Sequence, residues 1–463
     1  MLFNSYIFLF AFLPVVLLVY YLINYYSAKR LAMMWLLTSS LLFYGWWNFI
    51  YVPLLASSVL VNYLLSRRIR DEGRKQRRKM FLTAGLVFNV GLLGVFKYSD
   101  FFIDNVNIIL GSSFGFLNLA LPLAISFFTL QQVMFLVDTY EGLAKENRFI
   151  TYAVFVCFFP QLIAGPIVRH SEMMEQFASL GKRGFSSKTF LTAIFMITVG
   201  LTKKVVIADS FSVWASEGFG STETLMFFES WIASLSYTFQ LYFDFSGYSD
   251  MAVGLGLMFN IRLPINFLSP YASTSVIRFW QRWHITLSSF IFTYLYVPIV
   301  RSLPRVSFSY AMLATLAAMV IAGLWHGAAW TFLVFGLIHG VSIVLNHMWR
   351  RSEIRLPEPV AWLLTFTVIN IGFVFFRADS LEHAVGIIGS MMGLNGVGLG
   401  SLLPSLLIGI GFAIVLILPN VDELTKRPWV IGWPATLATS VMLYLTVSVL
   451  EVRSASEFLY FQF

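Results

Sequence analysis

Long apolar runs separated by short polar segments pattern this chain from one end to the other. The runs are residues 6–26, 31–48, 51–65, 80–97, 117–137, 151–168, 190–208, 230–259, 290–300, 310–324, 330–349, 361–376, 403–418 and 429–450. Most reach about 15–25 residues, the length that lets a helix cross hydrocarbon at its rise of about 1.5 Å per residue. The alternating strands of about ten residues that build a transmembrane barrel do not occur. The pattern predicts an all-α polytopic membrane protein with roughly 11–13 apolar helical segments, some of them re-entrant, forming one transmembrane domain over residues 1–463.

The charges between the runs give an expected topology. No positive residue precedes the first run, and Lys29-Arg30 follows it, the reverse of a secretory signal; this predicts a retained first helix with its N-terminus outside. Residues 67–79 hold eight Lys or Arg in thirteen positions and read as a cytoplasmic loop, whereas 209–229 holds four acids and no Lys or Arg and reads as an outside loop. Residues 151–168 fall between two segments that both look cytoplasmic, 141–148 and 169–188. That run should therefore dip into the membrane and return, in keeping with Pro160, Gln161, Gly165 and Pro166 inside it. The same parity conflict between Arg278/Arg282 and Arg350/Arg351 makes one of the three intervening runs a candidate partial span.

Composition narrows the class. The chain is 58% hydrophobic and 12% charged, which excludes a soluble enzyme. Its 47 Phe, 20 Tyr and 13 Trp suit packing in lipid and anchoring at the interfaces. The formal charge of +8 is scattered over short inter-run segments, so it marks topology and membrane contact; no continuous basic face for nucleic acid exists. With Cys157 alone, no internal disulfide or thiolate metal site is possible.

Polar residues inside apolar runs are costly and mark candidate function. Three clusters stand out: Tyr242–Asp250, with carboxylates Asp244 and Asp250; Arg278-Phe279-Trp280-Gln281-Arg282-Trp283-His284; and Gly323-Leu324-Trp325-His326-Gly327. A neutral imidazole out of water can take a proton from a hydroxyl as it attacks an acyl carbonyl, so His326 is the first candidate catalyst. Glycines on both sides permit close approach of a second backbone or of a ligand; the structural alternative is a hydrogen-bonded histidine in a helix bundle. His326 and His339, thirteen residues apart, face different ways on helices, and no HExxH or Cys/His cluster occurs, so no metal is expected. His339 and His347, with Asn346 and Arg350 nearby, read as a helix end at the cytoplasmic interface. Asp244, Asp250, Gln161 and Trp325 are candidates for a polar pocket. Asp244, Asp250 and Arg282 would equally serve an intramembrane relay in a polysaccharide or lipid transporter, though no inverted repeat accompanies them.

At these clusters the chain resembles the membrane-bound O-acyltransferase (MBOAT) family, and within it the bacterial alginate O-acetyltransferase type. The resemblance rests on Leu121-Pro122-Leu123-Ala124-Ile125-Ser126-Phe127-Phe128-Thr129 with Val137-Asp138, on Pro160-Gln161-Leu162-Ile163-Ala164-Gly165-Pro166-Ile167, on Phe243-Asp244-Phe245-Ser246-Gly247-Tyr248-Ser249-Asp250, on Phe279-Trp280-Gln281-Arg282-Trp283-His284, and on Leu324-Trp325-His326-Gly327. Ala124 departs from the pattern, which has Gly there. The resemblance implies an MBOAT-type helical bundle in a bacterial inner membrane, with His326 as the family histidine and His284 as the second histidine of the bacterial branch. It implies transfer of an acetyl group from a cytoplasmic thioester, acetyl-CoA or a carrier-bound acyl group, toward an acceptor outside. An SGNH-type periplasmic or surface partner would then pass it to a polysaccharide, as in alginate or exopolysaccharide biosynthesis or on a cell-wall glycan. The donor is a substrate and no bound cofactor is implied. Arg169, Lys203, Lys204, Arg278 and Arg282 are candidate cations for the donor's phosphates, and they also fit plain topology signals. The alternative within the family is D-alanyl transfer from a carrier protein to a cell-wall polymer.

Overall fold

The computed structural model describes every residue except 27, 145–147, 181–183, 306, 353, 428–431, 454 and 460–463. The start of the expected last run, 429–431, and parts of the two segments flanking 151–168 lie outside the described residues. Among the described residues every regular element is a helix. Nine are long and apolar enough to cross a membrane, by length and composition: Ile7–Tyr25, Phe49–Asp71, Lys75–Leu110, Ser187–Phe219, Ile285–Ser302, Phe308–His326, Trp330–Trp349, Glu358–Arg377 and Trp433–Arg453. The chain divides into two compact units. One comprises Met1–Thr198, Tyr248–Pro264 and Ile431–Thr439, the other Val199–Gly247, Ile265–Val430 and Ser440–Phe463.

In the first unit, the helices Val52–Asp71, Lys75–Leu93 and Ile125–Tyr140 are joined by buried amides. Asn62 and Asn89 donate to each other's side-chain oxygens, and Asn62 and Ser58 both donate to Gln132 Oε1. The expected run 117–137 is helical only from Ile125, because Pro122 and a left-handed Ala124 (φ 64°) start the helix late. Residues 151–168 are broken into the helices Phe149–Cys157 and Phe159–Leu162, separated at Phe158 (ψ 109°). At nine residues the first is about 13 Å long, too short to cross the hydrocarbon core by itself. The break leaves backbone groups to satisfy: Gln161 Nε2 donates to Phe155 O at 2.6 Å, and Ser40 Oγ accepts from Phe159 N at 3.1 Å.

In the second unit, the expected outside loop 209–229 is mostly helix. Asp209–Phe219 continues the Ser187–Thr202 helix through a π-helical turn at Lys203–Ala208, and the loop proper is residues 220–226. Phe211, Ala215 and Phe219, four apart and buried, carry the helix past its acidic start. The three runs between Arg282 and Arg350 are all long enough to span; the first extends over Ile285–Ser302, so length does not single out a partial one. Phe308–His326 starts at a Ser307 cap whose Oγ accepts from Tyr310 N. It pairs with Trp330–Trp349 as a hairpin in which a Cβ at Gly323 would lie 2.8 Å from Gly336 Cα, and one at Gly340 2.9 Å from Leu316 Cδ1. Small residues at this spacing bring the helix backbones together.

Candidate active site

His326 is the last residue of the Phe308–His326 helix and is buried. Gly327 follows in an extended conformation (φ −161°, ψ 154°) and leads to the next helix. The imidazole is enclosed edge-on by Trp325, Phe335 and Phe376, with ring centroids at 4.9, 5.9 and 5.2 Å. The glycines beside it serve the backbone: Gly323 takes the close approach of Gly336, and the space a side chain would fill at Gly327 holds the Phe332 ring. Of the two uses read for these glycines, helix contact is therefore the one observed. A histidine in such a cage is shielded from bulk water, where its exchange of a proton with a bound hydroxyl is not in competition with solvent.

His284 is fully buried and caps the Ile285–Phe290 helix in a left-handed conformation (φ 43°) that a bulky residue rarely adopts. Burial holds its imidazole neutral, with a pKa down to about 3. Its Nδ1 is 3.1 Å from Asn266 Oδ1, an atom that also accepts from the Thr286 backbone N–H at 3.3 Å and from Thr286 Oγ1 at 3.0 Å. A backbone N–H only donates, so the Asn266 atom is the oxygen and His284 Nδ1 carries the proton. The lone pair is thereby directed to Nε2. Two backbone bonds, Ile285 N to Asn266 O and Leu268 N to Arg282 O, fix this arrangement, and Phe245 meets the ring edge-on at 4.7 Å.

His339 is a functional candidate that reasoning from its neighbours misplaces at an interface. It is fully buried, and its Nδ1 accepts from Trp280 Nε1 at 3.3 Å, which fixes the opposite tautomer. Its ring lies 4.6 Å from Phe335, which also faces His326, so one phenyl group joins the two histidines. The Trp283–Phe373–Phe335 contacts, at 5.3 and 6.3 Å, extend the same aromatic cluster to the segment bearing His284. A sign of this role exists in the sequence: Gly323-Leu324-Trp325-His326-Gly327 recurs in spacing as Gly336-Leu337-Ile338-His339-Gly340.

Asp244 and Lys204 form an ion pair of 2.7 Å. The helices carrying them approach at Gly247, where a Cβ would lie 2.6 Å from Gly200 O. Lys204 also pairs with Asp209 at 3.0 Å and donates to Glu457 O, while Leu459 N donates to Asp244 and Ser456 Oγ to Asp209. Phe458 lies over the ammonium at 4.9 Å. Lys204 is thus committed to two carboxylates and the end of the chain, and no sequence signal links residues 456–459 to it. Lys203 is half-buried, its ammonium 6.0 Å from the Tyr242 ring; Arg278 is exposed and Arg282 half-buried. Gln161, Arg169 and Asp250 belong to the first unit, His284, His326 and Trp325 to the second. Among the described residues no three His, Cys, Asp or Glu side chains gather as a metal site requires.

The chain is similar to known proteins over most of its length. A protein named peptidoglycan O-acetyltransferase from Helicobacter pylori is 45% identical over 429 residues, covering 86% of this chain and 81% of its own. One from Azotobacter vinelandii, named "probable alginate O-acetylase AlgI", is 38% identical over 392 residues, with 83% and 76% covered. A teichoic acid D-alanyltransferase from Streptococcus thermophilus is 27% identical, with 55% and 68% covered. Residues 119–378, which include His284, His326 and His339, match the family model described as the membrane-bound O-acyltransferase family. The chain belongs to the membrane-bound O-acyltransferase family, as a multi-pass, all-α membrane protein and an O-acyltransferase.

Proposed function

We propose that this enzyme takes an acetyl group from a cytoplasmic thioester, acetyl-CoA, and passes it across the inner membrane for O-acetylation of an extracytoplasmic glycan, with His326 as general base. The observation that carries this reading is His326 itself, a buried imidazole held by aromatic rings at a helix end, within the matched family region. The acceptor O–H attacks the thioester carbonyl and His326 takes its proton. The tetrahedral intermediate then collapses, the C–S bond breaks, and the imidazolium returns the proton to the departing thiolate. His284, held neutral by burial with its Nδ1 proton on Asn266, is a positioning group whose Nε2 is the hydrogen-bond-accepting nitrogen. The names of the relatives at 38–45% identity support acetyl as the acyl group and a glycan as its destination.

The basic segment 67–79 supports donor entry on the cytoplasmic side, with the N-terminus outside. An SGNH-type partner presents the final acceptor, because the described residues are mostly apolar helix and offer little surface for a glycan groove. The test uses protein in sealed liposomes, labelled acetyl-CoA on the side of residues 67–79, and polysaccharide with or without the partner on the other. Label should reach the polysaccharide only with the partner present. His326→Ala should lose about 10²–10⁴ in rate at equal abundance, with His284→Ala impaired more variably. Wild-type transfer by His326→Ala rejects the assignment. The relatives named teichoic acid D-alanyltransferases, at 25–27% identity, support the second reading of a carrier-bound D-alanyl donor, and no transfer from acetyl-CoA in any pairing would favour it.

A further inference from the structure

The first unit contains a cavity of about 550 Å³ whose lining brings together Lys29 and Arg30 from the start of one helix with Arg148 from the start of another. These residues are far apart in sequence and none is among the cations that the sequence suggests for the donor. Among the described residues lining the cavity there is no carboxylate. Both helices, Lys29–Gly45 and Phe149–Cys157, begin here without a side-chain cap, so their first N–H groups and dipole ends add to the positive field. Lys29 Nζ donates to Ala178 O at 3.1 Å, which holds the ammonium in place. Phe149, 38% exposed, and Met33 supply apolar surface in the same lining. Three cations, two helix starts and an aromatic face within one concave volume are the chemistry of a phosphorylated nucleotide: guanidinium groups for phosphate oxygens and a ring on which a purine stacks. The volume is within the range of small-molecule sites.

We propose that this cavity binds the phosphate groups of the acyl donor, a phosphorylated nucleotide of the CoA type. The inference rests on the acetyl-CoA reading above and goes beyond it by giving the donor an anchoring site. The shared chemistry is a phosphate ester, and an anionic lipid headgroup is its other source. The experiment measures equilibrium binding of radiolabelled CoA to the full-length protein in nanodiscs of zwitterionic lipid, and repeats it with phosphatidylglycerol. Wild-type binding should be competed by adenosine 3′,5′-bisphosphate and should weaken as salt rises. Arg30→Gln/Arg148→Gln should weaken CoA binding by about 100-fold, roughly tenfold for each guanidinium–phosphate hydrogen bond removed. Arg148→Lys, which keeps the charge without the planar fork, should fall between wild type and Arg148→Gln. An unchanged thermal midpoint shows that each variant is folded. Wild-type CoA affinity in the double variant overturns the site while leaving the donor reading intact. Loss of phosphatidylglycerol retention without loss of CoA binding reassigns the cavity to lipid and also overturns it. A wild-type protein that binds no CoA overturns the donor reading and this ligand together.

Discussion

Two polar networks are buried among apolar helices, and they solve the same problem by different means. In the first unit the amides of Asn62, Asn89 and Gln132 are neutral and hydrogen-bond to one another across three helices that follow closely in the chain. In the second, Lys204 is paired with Asp209 and Asp244, and the backbone and side chains of residues 456–459 complete their hydrogen bonds. Neutral amides need only each other. Buried charges carry a desolvation penalty of several kcal/mol per ion in real proteins, so they require partners of opposite sign and every further donor and acceptor the chain can bring. The difference explains why one network is local and the other gathers segments some 250 residues apart.

Removing one member of the ionic network should therefore have the larger effect. Lys204→Ala leaves Asp244 charged in a site closed to water, and it should destabilise the protein by about 3–5 kcal/mol. Lys204→Met combined with Asp244→Leu should recover much of the loss. Thermal unfolding in detergent measures both. A Lys204→Ala protein that unfolds at the wild-type temperature would return this lysine to the donor-contact role its sequence position suggests. Asn62→Ala strips partners from Asn89 and Gln132 and should cost about 1–3 kcal/mol, with acyl transfer per folded molecule unchanged. A selective loss of activity at full stability would mean that the amides serve the reaction and not helix packing.

The same contrast marks what is legible in the sequence. Run 330–349 coincides with the helix Trp330–Trp349, and 310–324 falls within Phe308–His326, because apolar length is a local property that lipid rewards directly. His326 stands out for a similar reason, as an imidazole in an apolar stretch. His339 does not: its neighbours Asn346, His347 and Arg350 suggest an interface, and only contact with Trp280, 59 residues earlier, shows it to be interior. The partners of Lys204 are less legible still, since they depend on a π-helical turn at Lys203–Ala208 and on the far end of the chain. Local composition cannot say which distant backbone groups will neutralise a charge.

The smallest expected effect concerns Ala124, where the resemblance in sequence leads to the expectation of glycine. The residue has φ 64° and ψ 8°, and its carbonyl accepts from Phe127 N at 2.9 Å and Phe128 N at 3.0 Å, so it sets the first turn of Ile125–Tyr140. An L-residue in this region meets a clash between Cβ and the backbone worth about 1–2 kcal/mol. Glycine removes that clash but gives the unfolded chain more freedom, which returns about 0.4–1 kcal/mol of the gain. Ala124→Gly should therefore stabilise by roughly 0.5 kcal/mol, a rise of about 0.5 °C in Tm. Ala124→Val should move Tm the other way, since a β-branched side chain is worst suited to positive φ. Opposite shifts from the pair identify the backbone as the cause. A lower Tm for both would show that the Ala124 methyl group contributes more by packing than its conformation costs.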